Sequence, residues 1–215
     1  HVITCTPHLD SFVRKFNSNT TDISSTINTD NYVPANEYSN DDVLTIGWSG
    51  SHSTSKYVYL LQDVLLELSK KYKFKLLVIG DPTFHIEGLD CESIMWNEKT
   101  EVKDLQRIDI GIYPLPNEEW VLGKSGLKAL QYMALGIPTI ASAIGANHRV
   151  IEDAVSGKLV DSNEDWKRAL EEYMLNPDLR KEHGVKARER VESFYSVKAN
   201  EPVYLEVINS VIDAS

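Results

Sequence analysis

Hydrophobic positions along the chain alternate between two periods, and the alternation itself suggests a fold class. Residues 43–46 (Val-Leu-Thr-Ile) form a short strand-type run that stops at Gly47, and Tyr57, Leu60, Leu61, Val64, Leu65 and Leu68 then recur at helical spacing. A second strand is predicted over 74–79, stopped by Gly80, and a third over 93–96. A short helix near 101–106, a strand over 110–113, a helix over 125–135 and a strand over 137–141 continue the series. Beyond them the chain turns helical. Trp166, Leu170, Tyr173 and Met174 share one face, and Asn176-Pro177 reads as an N-cap followed by Pro at the first helical position. At the other end, residues 2–6 read as a strand. The stretch 17–41, rich in Asn, Ser, Thr and Asp, reads as a linker with one weak alternating segment around Ile23 to Ile27.

Strand, helix, strand with short connections predicts an α/β chain: a parallel sheet with helices on both faces, followed by a helical C-terminal part. Open sheets of this kind bind ligands at the carboxyl ends of their strands, so the loops after residues 46, 79, 96, 115 and 141 are the ones to read for chemistry.

The first of these loops, 47–56 (GWSGSHSTSK), joins a strand to a helix through small residues, with a lysine at the helix start. Gly47, Ser49, Gly50 and Ser51 let backbone amides approach a phosphate, with Lys56 as a cation. Read as a plain turn, the same serines and threonines would cap the helix, and His52 reads as a solvated loop residue. The dinucleotide fingerprint is absent, because the loop lacks the G-x-G start and a third Gly. Gly123-Lys124-Ser125 imitates the end of a P-loop, but Glu118 stands where that motif needs Gly. What survives is an anion site made of Lys124 and amides at a helix start, against the alternative of a solvated lysine. The sequence has no Asp-x-Asp pair, no set of metal-ligand spacing and no G-x-S-x-G elbow, so neither a bound metal nor an acyl-transfer nucleophile is expected. Trp96 and Trp120 read as packing or rim residues.

Composition narrows the classes further. With 42% hydrophobic and 25% charged residues in 215, the chain is neither disordered nor a disulfide scaffold. A net charge of −10 argues against duplex nucleic acid as a partner. Cys5 and Cys91 are read as two free thiols in a reducing compartment. No apolar run is long enough to span a bilayer, and the first residues lack the features of a signal peptide, so a cytoplasmic location is expected.

In this order the segments resemble the C-terminal, donor-binding domain of group 1 glycosyltransferases, retaining enzymes of GT-B type with two Rossmann-like domains. The stretch 123–160, GKSGLKALQYMALGIPTIASAIGANHRVIEDAVSGKLV, carries most of the resemblance. DIGIYPLPNEEW at 109–120, IGWSG at 46–50 and LLVIGD at 76–81 add to it. The resemblance implies a Rossmann-like domain over 38–199, preceded over 1–37 by the end of an acceptor-side domain and its linker. A C-terminal helix over 200–215 would return to that first domain. It implies a nucleotide-diphosphate sugar as donor substrate, no cofactor, and a role in carbohydrate biosynthesis. In that family a Glu-x7-Glu motif meets the donor sugar and the ribose. Here Gly123 and Gln131 hold those positions, with Gln131 able to meet ribose hydroxyls and Glu118 or Glu119 candidates for the sugar contact. Gly80, Asp81, Trp96 and Asn97 fall where the nucleobase is cradled, and Ser125, Gly126 and Leu127 where the helix start meets the donor. Trp48 stands at a position that often holds Arg, Lys56 matches a diphosphate-binding Lys, and Lys124 supplies the charge missing at position 48.

The implied reaction moves a glycosyl group from the diphosphate to an acceptor hydroxyl with retention, Lys56 and Lys124 meeting the charge of the departing diphosphate. The acceptor is unspecified, whether glycan, lipid-linked or small molecule, and peripheral membrane contact would come through the absent domain. The chain is expected to be an excised piece that binds donor without turnover. Tyr204, Val207, Ile208, Val211 and Ile212 would then form an apolar face outside the main core. The alternatives are a non-catalytic nucleotide-sugar-binding module, favoured by Gly123, and a Rossmann NAD-dependent oxidoreductase.

Overall fold

The computed structural model describes residues 1–35 and 43–213. It begins with β1 (Val2–Thr4), α1 (Pro7–Val13) and β2 (Thr20–Asp22), with β1 and β2 paired in parallel. The Thr6 hydroxyl accepts the Leu9 amide as N-cap and Pro7 opens the helix, so local sequence alone specifies α1. The main unit follows: β3 (Leu44–Ser49), α2 (His52–Ser55), a 3-10 stretch Lys56–Leu61, α3 (Gln62–Ser69), β4 (Phe74–Ile79) and β5 (Cys91–Ile94). After it come α4 (Glu101–Leu105), β6 (Ile110–Tyr113), a 3-10 turn Glu119–Gly123, α5 (Leu127–Ala134), β7 (Thr139–Ser142), α6 (Asn147–Val150) and β8 (Lys158–Val160). The chain ends in α7 (Asn163–Leu175), α8 (Pro177–Phe194) and α9 (Val197–Ile212). Among the described residues no helix is long and apolar enough to cross a membrane.

Among the described residues six strands form one sheet in the order β5-β4-β3-β6-β7-β8, every pairing parallel. The chain builds outward from β3 to β5, then returns to the other side of β3 and builds outward again. The connections leaving β3 and β6 therefore diverge, and a crevice opens between them at the carboxyl ends. Both faces are buried. In β4, Leu76 and Val78 enter the core that holds Leu61, Leu65, Leu170 and Tyr173, whereas Leu77 and Ile79 enter the opposite layer with Leu105, Ile108, Tyr132 and Leu135. That period of two with apolar residues at both phases is why the strand reads as a continuous hydrophobic run.

Several boundaries differ from the sequence expectation. β3 does not stop at Gly47 but runs through it to Ser49, because Gly47 faces Ile108 at a distance where a Cβ would be 2.2 Å from that side chain. Glycine here admits a neighbour rather than breaking the strand. The third strand lies at Cys91–Ile94 rather than 93–96, the fifth helix starts at Leu127 rather than 125, and β7 starts at Thr139 rather than 137. Within 17–41, the strand is Thr20–Asp22, not 23–27. Ile23 and Ile27 are both buried, and Ile27 bridges to Ser196. Residues 36–42, where the expected boundary between 37 and 38 falls, lie outside the described residues.

The first unit and the sheet are joined by arginines. Arg149 of α6 pairs with Asp22 at 2.6 Å and donates to the Cys5 carbonyl, while Arg188 of α8 donates to the carbonyls of Thr29, Tyr32 and Ala134. Of the expected apolar face of α9, Val207 is buried, Tyr204 is half-buried and Ile208 and Ile212 are exposed, so none of it forms the centre of the main core. Cys5 and Cys91 are unbridged.

Helix α8 meets the end of α5 through Gly184. A Cβ there would lie 2.1 Å from the Gly136 carbonyl oxygen. Alanine gains about 1 kcal/mol of helix propensity over glycine. Overpacking against backbone costs about 1–3 kcal/mol. Gly184→Ala is accordingly expected to lower the urea midpoint, and an unchanged or raised midpoint would show that α8 can move off the turn without loss.

Candidate functional site

The crevice at the carboxyl ends of β3 and β4 is a cavity of about 500 Å³. The β3 loop contributes Ser49, Gly50, Ser51 and His52, and the end of β4 contributes Gly80. Met95 and Trp96 come from the segment after β5, Glu101 from the start of α4, and Lys128 and Gln131 from α5.

Its walls are held by close backbone approach. Gly111 in β6 lies under the Tyr132 ring, where a Cβ would be 2.7 Å from the ring carbons, and the buried Tyr132 hydroxyl accepts the Ser49 amide at 2.6 Å. Gly80 has φ +111°, and a Cβ on it would fall 1.7 Å from the Gly50 carbonyl oxygen, so these two strand ends touch through backbone alone. Gly50 is equally constrained: a Cβ there would sit 2.4 Å from the Trp48 indole and 3.0 Å from Lys128 Cε.

That last contact reveals the cation of the site. Lys128 extends from the first turn of α5 over the face of the buried Trp48, with Nζ 5.6 Å from the ring centroid. Burial pushes its pKa down to about 8, Lys124 acts in the same direction, and Glu101 opposes them. The Glu101 carboxylate lines the same cavity. It accepts Trp96 Nε1 at 2.9 Å, Gln131 Nε2 at 3.0 Å and the Tyr32 hydroxyl at 2.8 Å. Tyr32 also accepts from Gln131 Nε2 at 3.0 Å, and burial pushes its phenol up to about 12. Helix α5 begins with Gly126 at φ +78° and no side-chain cap, leaving its first amides without a side-chain acceptor there. The cavity thus offers an ammonium for an anion, and a carboxylate with a neighbouring side-chain amide for hydroxyls.

Of the residues singled out by sequence, Ser49, Gly50, Ser51, Gly80, Trp96 and Gln131 are brought together on the cavity wall. The others lie elsewhere. Gly47 is inside β3, and Asp81 is buried with its carboxylate turned to Ser55, Thr83 and His52. Ser55 above all, then Thr83, hold that carboxyl well below the usual range. The Asn97 side chain accepts the Lys99 amide. Lys56 is exposed beside Tyr57, and Lys124 rests 4.7 Å from the Trp120 centroid, in extended backbone ahead of the Gly126 cap rather than at the helix start. Glu118 and Glu119 are exposed, and Glu118 accepts Trp120 Nε1 at 2.5 Å. Gly123 faces Leu9, Ser125 accepts the Ser25 hydroxyl at 2.7 Å, Gly126 faces Val150, and Leu127 is exposed. Sequence reasoning missed Lys128, Glu101, His52 and Met95. For Lys128 a signal existed, since it lies three residues before Gln131, on the same helix face.

Residues 42–176, more than half of the chain, match the family described as glycosyl transferases group 1. The chain belongs to this family. Among curated relatives, a D-inositol 3-phosphate glycosyltransferase of Saccharomonospora viridis is 35% identical over 88 residues, which are 40% of this chain and 19% of that protein. A trehalose synthase of Pyrococcus horikoshii is 36% identical over 88 residues, 40% of this chain and 21% of that protein. The chain also shares its fold with sucrose-phosphate synthase from Thermosynechococcus elongatus, with TM-score 0.76 and 19% identity over 99% of this chain and 58% of that one. Anabaena HepE in complex with UDP and glucose superposes with TM-score 0.78 at 12% identity, over 97% of this chain and 62% of that one. The chain therefore spans less than two thirds of each, and the fold is the parallel α/β domain of GT-B enzymes.

Lys128 releases its proton near pH 8 in the folded chain, against the ordinary 10.5. Between those values the unfolded chain binds more protons, so this site's contribution to stability rises with pH through that window. Lys128→Met should raise the melting temperature at pH 7, and its advantage should shrink toward pH 10. A Met variant that melts no higher than the parent at pH 7 would mean that the ammonium carries no burial cost.

Proposed function

We propose that the cavity binds a nucleoside diphosphate sugar and that the whole protein transfers its glycosyl group to an acceptor hydroxyl with retention of configuration. The observation that carries this reading is that one cavity is lined by the Lys128 ammonium and by the hydrogen-bonded Glu101–Gln131 pair. A half-buried ammonium stands where a diphosphate would meet it. Glu101 and Gln131 stand where ribose hydroxyls would, and Met95 and Trp96 offer apolar surface to the base. Lys128 takes the principal cation's role, with Lys124 and Lys56 as outlying charges. HepE, a fold neighbour, is in complex with UDP and glucose, which supports a nucleotide as the kind of ligand this chain takes. In the transfer, the bond from the anomeric carbon to the diphosphate oxygen breaks, one to the acceptor oxygen forms, and the acceptor proton passes to the departing phosphate. Each preorganised donor at that oxygen can supply roughly 2–4 kcal/mol. Residues 38–199 are the donor-binding domain in this reading, 1–37 the end of an acceptor-side domain with its linker, and 200–215 a helix returning to it.

A second reading, a nucleotide-sugar-binding module without turnover, is favoured by one observation. Gly123 brings no carboxylate to the cavity, and Glu118 and Glu119 do not line it. Sugar transfer by the full-length protein from a donor panel separates the two.

For the donor itself, one of UDP, GDP or ADP should raise the melting temperature of this chain. Lys128→Gln should then weaken that nucleotide about 10- to 100-fold, the loss of a hydrogen bond to a charged group, whereas Lys124→Ala should cost severalfold less. Nucleotide affinity unchanged in Lys128→Gln would remove this lysine from the site.

A further inference from the structure

One constellation on the cavity rim is not absorbed by that reading. Asp81, at the start of the loop after β4, is buried, yet its carboxylate receives the Ser55 hydroxyl at 2.6 Å, the Thr83 hydroxyl at 2.7 Å and the Thr83 amide at 3.1 Å. A fourth partner is the His52 ring, whose Nδ1 lies 3.0 Å from Asp81 Oδ1. The carboxylate is thus fixed by the two loops whether or not a ligand is present. His52 is different: its side chain is 76% exposed and lines the cavity, with Ser51 beside it and Lys128 on another wall. Its Nδ1 is occupied by Asp81, which leaves Nε2 as the ring nitrogen available to a ligand. A carboxylate behind a histidine fixes both the tautomer and the ring orientation, an arrangement that a merely solvated histidine has no use for.

We propose that His52, oriented by Asp81, is a phosphate-contacting residue of the cavity, donating from Nε2 to the diphosphate of the donor from the side opposite Lys128. The proposal rests on the nucleoside diphosphate reading above. An imidazole that gives Nδ1–H to Asp81 and Nε2–H to a phosphate oxygen carries both protons, and Asp81 supplies the counter-charge for that state. His52 is then a binding residue, and Asp81 a positioning residue that acts through it. The same geometry explains why Asp81 is inside rather than on the wall where the base would lie.

The test combines one variant with one spectrum. In the ligand-free chain, long-range proton–nitrogen NMR of the imidazole should show the Nδ1–H tautomer. Saturating UDP, GDP or ADP, whichever stabilises the chain, should shift Nε2. His52→Gln, an exposed substitution, should leave the ligand-free melting temperature unchanged and weaken that nucleotide about tenfold, the lower end of the range for a charged hydrogen bond. Asp81→Asn, if it folds, should abolish the tautomer preference and weaken the nucleotide similarly. Inorganic pyrophosphate is the second probe. If it shifts Nε2 while no nucleotide binds, the dyad stands and the nucleotide reading fails. If a nucleotide binds as well to His52→Gln as to the parent and Nε2 does not move, the dyad fails and the nucleotide reading stands. Silence toward both probes overturns both.

Discussion

A single buried hydrogen bond, from the Ser49 amide to the Tyr132 hydroxyl at 2.6 Å, sets the separation of the two walls on which every feature of the cavity depends. The sheet order opens a crevice between β3 and β6, but an open crevice has no fixed width. Tyr132 supplies it. Its side chain packs against Gly111 of β6, and its hydroxyl crosses to the last residue of β3, so helix α5 is pinned to both strands at the point where they part. Lys128 and Gln131, one turn and one residue before Tyr132, inherit their positions from that tether. The bond cannot be dropped cheaply, because a buried amide left unsatisfied costs about 1–3 kcal/mol. Gly111 is its structural complement, since any side chain there would lift the ring and with it the helix.

The charge in the cavity is placed against the preference of the fold. Burial alone would expel an ammonium, and the depressed proton affinity of Lys128 records that resistance. What retains it is the indole of Trp48 beneath the stem and the glycine at position 50 that lets the stem pass. Trp48 itself stays in the core, and the positive charge comes from the facing helix. The carboxylate comes from Glu101 on α4, with Gln131 of α5 donating to it. Both charges line the same cavity.

The placement of these charges explains what the sequence made legible. Strands β4 and β6 could be read to the residue, because a fully buried parallel strand is a continuous apolar run with turn residues at its end. Gly47 misled for a physical reason: a glycine in a central strand and a glycine ending one look alike locally, and only the close approach of Ile108, 61 positions later in the numbering, distinguishes them. Backbone contacts at Gly50 and Gly80 were legible because small residues at strand ends have few other uses. Lys128 and Glu101 were not, because a lysine and a glutamate on amphipathic helices read as solvated surface until the Trp48 face and the Trp96, Tyr32 and Gln131 donors are seen around them. Lys124 attracted attention by imitating a phosphate loop, but the helix cap falls two residues after it, and its ammonium rests on Trp120 instead.

The carboxylate wall of the cavity is not a property of the sheet alone. Glu101 is aimed by Trp96 and Gln131 from the sheet's own connections, but its third donor, Tyr32, comes from the segment that precedes β3. Tyr32 is held in turn by Arg188, which binds its carbonyl together with those of Thr29 and Ala134. One guanidinium on α8 therefore fixes the crossover segment and the end of α5 relative to each other, and the phenol translates that fixed relation into the orientation of a carboxylate. The Ser25–Ser125 hydrogen bond repeats the connection ahead of the same helix. Tyr32 and Gln131, far apart in sequence, meet at Glu101, and Arg188 of α8 holds their segments together, so the geometry of its acceptor atoms exists only once the N-terminal segment, α5 and α8 have docked, which is why no local motif could have announced it.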